Sequence, residues 1–194
     1  MNRPLLLLAA AFLGACGADC YEPGTACIVA GTGVPGFGDA GQIATETDLY
    51  WPTDVTVAPD GKTWIVDWNN HRIGYLQPGD KGDTFEVVSG GGLTGDGPLD
   101  GPVSTARWNH PTNILFRDNG YALIAAWHNS RVVAFDLDND QVEHLAGNGA
   151  RGWGGDGGPA LDATLDLPSA VAYGPDGLIY FTDQANQRVR RLEA

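Results

Sequence analysis

Residues 146–159 read AGNGARGWGGDGGP, and within them Gly147, Gly149 and Gly152 have the spacing of a dinucleotide-binding turn. Such a turn follows a strand and opens a helix, whose N-terminus and backbone N–H groups hold a pyrophosphate. The residues after Gly152, WGGDGGPALDATLDLPSA, contain four more glycines and two prolines, which exclude an uninterrupted helical period. The spacing also recurs, at Gly31, Gly33 and Gly36 and at Gly90, Gly92 and Gly95, offset by 59 and then 57 residues. A dinucleotide fold needs it once. The stretch is therefore one copy of an internal repeat, and a nucleotide cofactor is not expected.

Three units follow from this alignment. Each opens with a glycine loop (AGTGVPGFGDAG, SGGGLTGDGPLDG, AGNGARGWGGDGG) and continues into a proline-led start at Pro52, Pro111 and Pro168. Beyond each proline the chain alternates with period two, as half-buried strands do. In the first unit DVTVA, TWIVD, RIGYLQ and TFEVV are separated by PDGK, WNNH and PGDKGD; in the second, NILF, YALIAA, RVVAFDL and VEHLA are separated by DNG, HNS and DND. Glycine and asparagine supply the positive φ of tight hairpins. Four short antiparallel strands in a unit of this length form a propeller blade, so the fold class is all-β with three blades.

The units also resemble the NHL repeat family, in which a strand ends in D-x-x-N-x-R-[IV]. The chain has Asp67-x-x-Asn70-x-Arg72-Ile73 and Asp183-x-x-Asn186-x-Arg188-Val189, with a degenerate Ala126-x-x-Asn129-x-Arg131-Val132. The resemblance covers residues 26–194 and implies propellers that usually have six blades, of which three four-stranded blades are half. The blades are expected at about 30–88, 89–145 and 146–194. The third stops after its third strand at RVRRLEA, while an unclaimed strand ACIVA stands at residues 26–30. Two readings stay open: two copies close a ring head to tail, each residue 26–30 strand completing the partner's third blade, or the chain is a piece of a longer propeller.

The N-terminal MNRPLLLLAAAFLGAC has one cation and an apolar run of about ten residues, too short for a spanning helix but suited to a secretory signal over residues 1–15. Leu13-Gly14-Ala15-Cys16 resembles the lipobox of bacterial lipoproteins, which implies acylation of Cys16 and a lipid-anchored protein of the cell envelope. Gly17 fits outer-membrane sorting. Residues 16–25 then form a linker, and Cys20 and Cys27 are expected to pair in an exported chain. Loss of residues 1–15 removes Arg3 and no acid, leaving 10 Lys and Arg against 24 acids, a formal charge of −14. Such a surface repels phosphate backbones, and nucleic-acid binding is not expected.

A carboxylate, an amide and a guanidinium repeated in successive units read as a structural network, here Asp67, Asn70 and Arg72; Asn129 and Arg131; Asp183, Asn186 and Arg188. Ala126 replaces the aspartate of the second unit, so Arg131 must find another partner. Asp39, Asp96 and Asp156 stand in the glycine loops and hold turns. Asp136, Asp138 and Asp140 resemble the start of a calcium loop, but Gln141 and Gly147 occupy its glycine and glutamate positions. His71, His110, His128 and His144 fall at no common repeat position and in no local metal spacing. One NHL-like branch, the peptidyl-hydroxyglycine amidating lyases, uses central histidines to hold a metal; the residues just after the innermost prolines here are Thr53, Thr112 and Ser169. No serine or cysteine sits in a nucleophile motif. No catalytic residue and no metal ligand are expected, with a structural or channel Ca or Zn as the alternative that accompanies a lactonase-like or lyase-like enzyme. What remains is a face. Trp68, Trp127 and His128 lie in hairpin loops, while Thr53, Asp54, Thr112 and Asn113 start innermost strands and line the channel. These are the expected ligand-binding residues of a scaffold for protein, peptide or glycan.

Overall fold

The computed structural model describes residues 23–117 and 120–193. They form three antiparallel sheets in chain order. The first is β1 (Pro52–Val57), β2 (Thr63–Asp67), β3 (Arg72–Gln77) and β4 (Thr84–Gly90); the second is β5 (Pro111–Phe116), β6 (Tyr121–Ala126), β7 (Arg131–Asp136) and β8 (Gln141–Ala146). The third is β9 (Pro168–Tyr173), β10 (Ile179–Asp183) and β11 (Arg188–Leu192). Each sheet is a simple meander, a propeller blade, and no α-helix occurs among the described residues. The turns between first and second strands show why the chain reverses where it does. Gly61 and Gly177 take φ of +83° and +77°, and Asp60 and Asp176 accept the N–H of the residue two positions on.

A single four-stranded sheet cannot bury both its faces, so the core lies between blades. Trp64, Val66 and Ile73 of the first blade pack with Trp108, Ile114, Ile124 and Phe135 of the second. Leu123, Val132 and Ala134 of the second pack with Leu165, Val171 and Phe181 of the third. The innermost strands are also tied by polar bonds. Asp54 accepts the Asn113 amide at 2.7 Å and the Ile114 N–H at 2.8 Å, and the Asn113 carbonyl accepts the Val171 N–H at 2.9 Å. One side chain of each of two blades thus reaches the next, and the relay ends at Ala170, whose side chain has no polar atom to extend it.

Inside each blade a polar network, fully buried in the first, joins the glycine loop to the second and third strands. Asp67 accepts Asn70 and Arg72, both at 2.8 Å, while Asn70 and Arg72 donate to the Gly36 and Gly38 carbonyls. Arg72 is 1% exposed, so its charge depends on Asp67. In the second blade Asp96 from the glycine loop supplies the missing carboxylate, meeting Arg131 at 3.0 Å. In the third, Arg190 and not Arg188 reaches Asp183 (3.4 Å) and Asp156 (2.8 Å). Arg188 instead lies over the Trp153 ring and donates to the Asn186 carbonyl. Strand alternation explains the correction, since positions 188 and 190 point to the same side of β11.

The third sheet has three strands, and residues 26–30 belong to no sheet, with Ile28 and Val29 mostly exposed. In the first blade β4 lies between β3 and the loop at residues 41–44, bonded to both. The matching place in the third blade is a cavity of about 440 Å³ lined by Phe181, Arg190, Leu192, Ala160 and Ala163. The Asp136–Asp140 stretch is a hairpin turn between β7 and β8, with Asp136 accepting Asn139 and Asp140 accepting the Val103 N–H.

These networks rank the substitutions. Asp67→Ala strands a buried guanidinium and is expected to cost about 3–5 kcal/mol. Asp54→Ala leaves one amide and one N–H unpaired and is expected to cost about 1–3 kcal/mol. Urea midpoints of the two variants check the order.

Candidate functional site

The site grows from a strained turn that recurs in every blade. Trp51, His110 and Leu167, each just before an innermost-strand proline, take φ of 52°, 58° and 57°. A left-handed backbone costs about 1–2 kcal/mol in an L-residue, and a following proline adds crowding. The residue before each is clamped at both ends. The N–H groups of Tyr50, Asn109 and Asp166 donate to Asp67, Asn129 and Asp183 at 2.7–2.8 Å. Their carbonyls accept the N–H groups of Asn69, His128 and Ala185 from the turns after the second strands. The clamp places the strained residue beside that turn, so both contribute side chains to one face.

In the first two blades those side chains are aromatic. Trp51 is 64% exposed and meets Trp68 with ring centres 5.7 Å apart; Trp68 meets Trp127 at the same distance across the blade boundary. His128 stacks on Trp127 at 4.0 Å, and Trp68 lies 4.1 Å from His110. Toward the third blade, the Trp127 indole N–H donates to the Gln184 carbonyl at 2.9 Å. His110 sits at the centre. Its backbone N–H donates to His71 Nδ1 at 3.2 Å, its own Nδ1 lies 2.9 Å from His128 Nδ1 and 2.8 Å from Asn109 Oδ1, and its Nε2 lies 3.2 Å from Asn69 Oδ1.

Three imidazoles packed together resist protonation. Burial and then the neighbouring His71 and His128 push His110 down to about 4. Burial also lowers His71, with His128 adding to it and Asp67 opposing; His128 is lowered by burial and by Arg151, against Asp166. Arg151 and Asp166 form an ion pair of their own at 2.6 Å. The face is therefore built of indole rings, neutral imidazoles and amides.

The structure brings Trp68, Trp127 and His128 together. It does not add Asp54 and Asn113 to them, because the inter-blade relay occupies those side chains; Thr112 donates to the Ala125 carbonyl, and Thr53 is exposed at the start of β1. Repeat register predicts scattered histidines, yet His71, His110 and His128 meet. The register compares equivalent positions, whereas the meeting joins different ones: the His110 N–H at the second blade's proline start donates to His71 in the first blade's turn, and His128 meets His110 within the second blade. Trp51 and His110 share that pre-proline position, a signal that alignment on the prolines contains. Among the described residues no group of three or more His, Cys, Asp or Glu converges to hold a metal. Cys27 is disulfide-bonded, and Cys16 and Cys20 lie outside the described residues.

Comparison with known proteins agrees with this architecture. Residues 49–74, which hold β1, β2 and the Asp67 network, match the NHL repeat. The chain carries an NHL repeat. Over 109 residues it is 31% identical to the chloroplastic protein SUPPRESSOR OF QUENCHING 1 of Arabidopsis thaliana, covering 56% of this chain and 10% of that one. Over 180 residues it is 26% identical to mouse Teneurin-1, covering 79% of this chain and 6% of that one. An auxiliary nutrient binding protein from Bacteroides ovatus superimposes with a TM-score of 0.61 at 19% identity, over 77% of this chain and 38% of that chain. The chain thus spans a tenth or less of these two curated relatives and under two fifths of the solved structure. What the chain shares with the solved structure is the fold.

The histidine cluster sets a pH dependence. A group held below its ordinary value of 6.5 stabilises the folded state fully above pH 6.5, and that contribution is lost as pH falls toward 4. His110→Leu, which copies Leu167, is expected to flatten the loss. Urea midpoints of both proteins at pH 7.5 and 5.0 check this, the gap narrowing in the variant.

Proposed function

We propose that this chain is an exported, lipid-anchored propeller half that acts as a rigid binding scaffold, with recognition on the face of Trp51, Trp68, Trp127 and His128. The observation that carries the reading is the row of three indoles crossing two blades, Trp51 exposed and Trp68 and Trp127 half-buried, set on a backbone strained into place three times. Exposed aromatics with polar neighbours are what recognition surfaces use, and nothing in the row is arranged as a nucleophile with its base. The similarity in fold to a protein described as an auxiliary nutrient binding protein supports binding as the role.

In this reading residues 1–15 are removed, Cys16 is acylated, Cys20 pairs with Cys27, and residues 16–25 link the anchor to blades at about 30–88, 89–145 and 146–194. Two copies close six blades head to tail. The supporting feature is the pair of open blade faces, where Val55 and Val189 are 65% and 69% exposed, together with the cavity beside β11. Residues 26–30 of the partner copy are the strand assigned to that cavity.

Ligand-observed NMR with a mixed set of peptides, oligosaccharides and small metabolites tests the face. The expected result is that ligands which bind also change tryptophan fluorescence, and that Trp68→Ala weakens them tenfold or more, about 1.4 kcal/mol. Ligands held equally well by Trp51→Ala and Trp68→Ala would place recognition elsewhere.

A further inference from the structure

We propose that the ligand of the tryptophan row is a neutral saccharide chain; this rests on the binding-face reading and narrows it to one chemistry. The row is a strip and not a closed pocket. Ring centres advance in two steps of 5.7 Å, with successive planes tilted by 40° and 50°. A strip of this kind fits an extended ligand whose flat apolar faces repeat along its length.

The strip's polar edge selects further. Gln184 has its carbonyl engaged by the Trp127 N–H, which leaves its NH₂ group as a donor. Asn69, whose side-chain oxygen meets His110 Nε2, and His128, stacked on Trp127, add an amide and an imidazole beside the strip. A purely apolar ligand would cover these groups without pairing them, at a cost of about 1–3 kcal/mol for each one stranded. A saccharide meets both demands, since its C–H face lies on an indole while its hydroxyls and ring oxygens bond amides and imidazole at the edge.

Charge argues the same way. An anionic ligand approaches a chain whose formal net charge is −13, and Arg151, a cation that acts on His128 at the strip, is paired with Asp166 at 2.6 Å. That pairing also leaves Asp166 poorly placed to hold a cationic ligand. The cations of this chain that lie over rings do so elsewhere, on Tyr75, Phe37, Phe85, Tyr173 and Trp153. Among the described residues no cation lies over an indole of the strip, and the groups that border its rings are the Gln184 amide and the His110 and His128 imidazoles.

The test titrates the processed full chain at pH 7 with maltoheptaose, cellohexaose and xylohexaose. Spermidine and an uncharged hexapeptide serve as contrasts, and calorimetry and tryptophan fluorescence provide the readouts. The expected result is that at least one oligosaccharide binds with a Kd below about 1 mM. Its affinity should fall tenfold or more in both Trp51→Ala and Trp68→Ala, and change less than about twofold between 0.05 and 0.5 M salt, because no charge pairs form. Trp51 is exposed, so its variant keeps the core intact should Trp68→Ala fold poorly. Saccharide binding that survives both substitutions overturns the inference. Binding of the peptide or spermidine on the strip, with no saccharide bound, overturns the inference and leaves the binding face standing. A strip that no probe perturbs counts against both.

Discussion

The Tyr50 N–H donates to the Asp67 carboxylate at 2.7 Å, and the same bond joins Asn109 to Asn129 and Asp166 to Asp183. Much of the structure depends on this clamp. It holds a left-handed residue in front of a proline, a conformation the backbone resists, and so fixes where each innermost strand begins. It draws the turn after the second strand against that start. In the first and third blades the clamping carboxylate also neutralises a guanidinium whose donors reach the glycine loop. One carboxylate thereby ties together loop, turn and strand; in the second blade, where Ala126 stands at its position, Asn129 keeps the clamp while Asp96 takes over the charge.

The proposed binding face follows from the same geometry. A scaffold that presents the same turn in blade after blade can change the displayed side chain without changing the backbone. Position 51 carries tryptophan, 110 histidine and 167 leucine at nearly equal φ; positions 68, 127 and 184 carry two tryptophans and a glutamine. The strain is common to every blade and the chemistry is local to each. That division separates a structural repeat from a recognition surface on the same residues.

Most of the fold is legible in the residues. Glycine loops, proline starts and alternating strands mark the blades because each reports a local backbone requirement, and the need of Arg131 for a substitute partner follows from Ala126 alone. What escapes is whatever depends on neighbours. Arg188 stands at the motif position, yet Arg190 enters the network because the guanidinium's reach along β11, and not its register, decides the contact. His71 and His110 join the site through a loop of one blade leaning on the next, and Trp51 joins it through the clamp in its own blade. Asp54 and Asn113 head their strands as channel residues would, but their side chains are spent between blades.

A blade is stable when both faces are covered. The middle blade is covered on both sides and contains the chain's most buried strands, whereas the outer faces of the first and third blades leave Val55 and Val189 open. In the proposed dimer a second copy, turned about a two-fold axis, would offer each open face the partner that the middle blade already has. The direct measurement is the mass in solution of the chain from Gly17 to Ala194 by light scattering on a sizing column. The account predicts a dimer that dissociates when residues 26–30 are deleted. A stable monomer with both outer faces in solvent would contradict it.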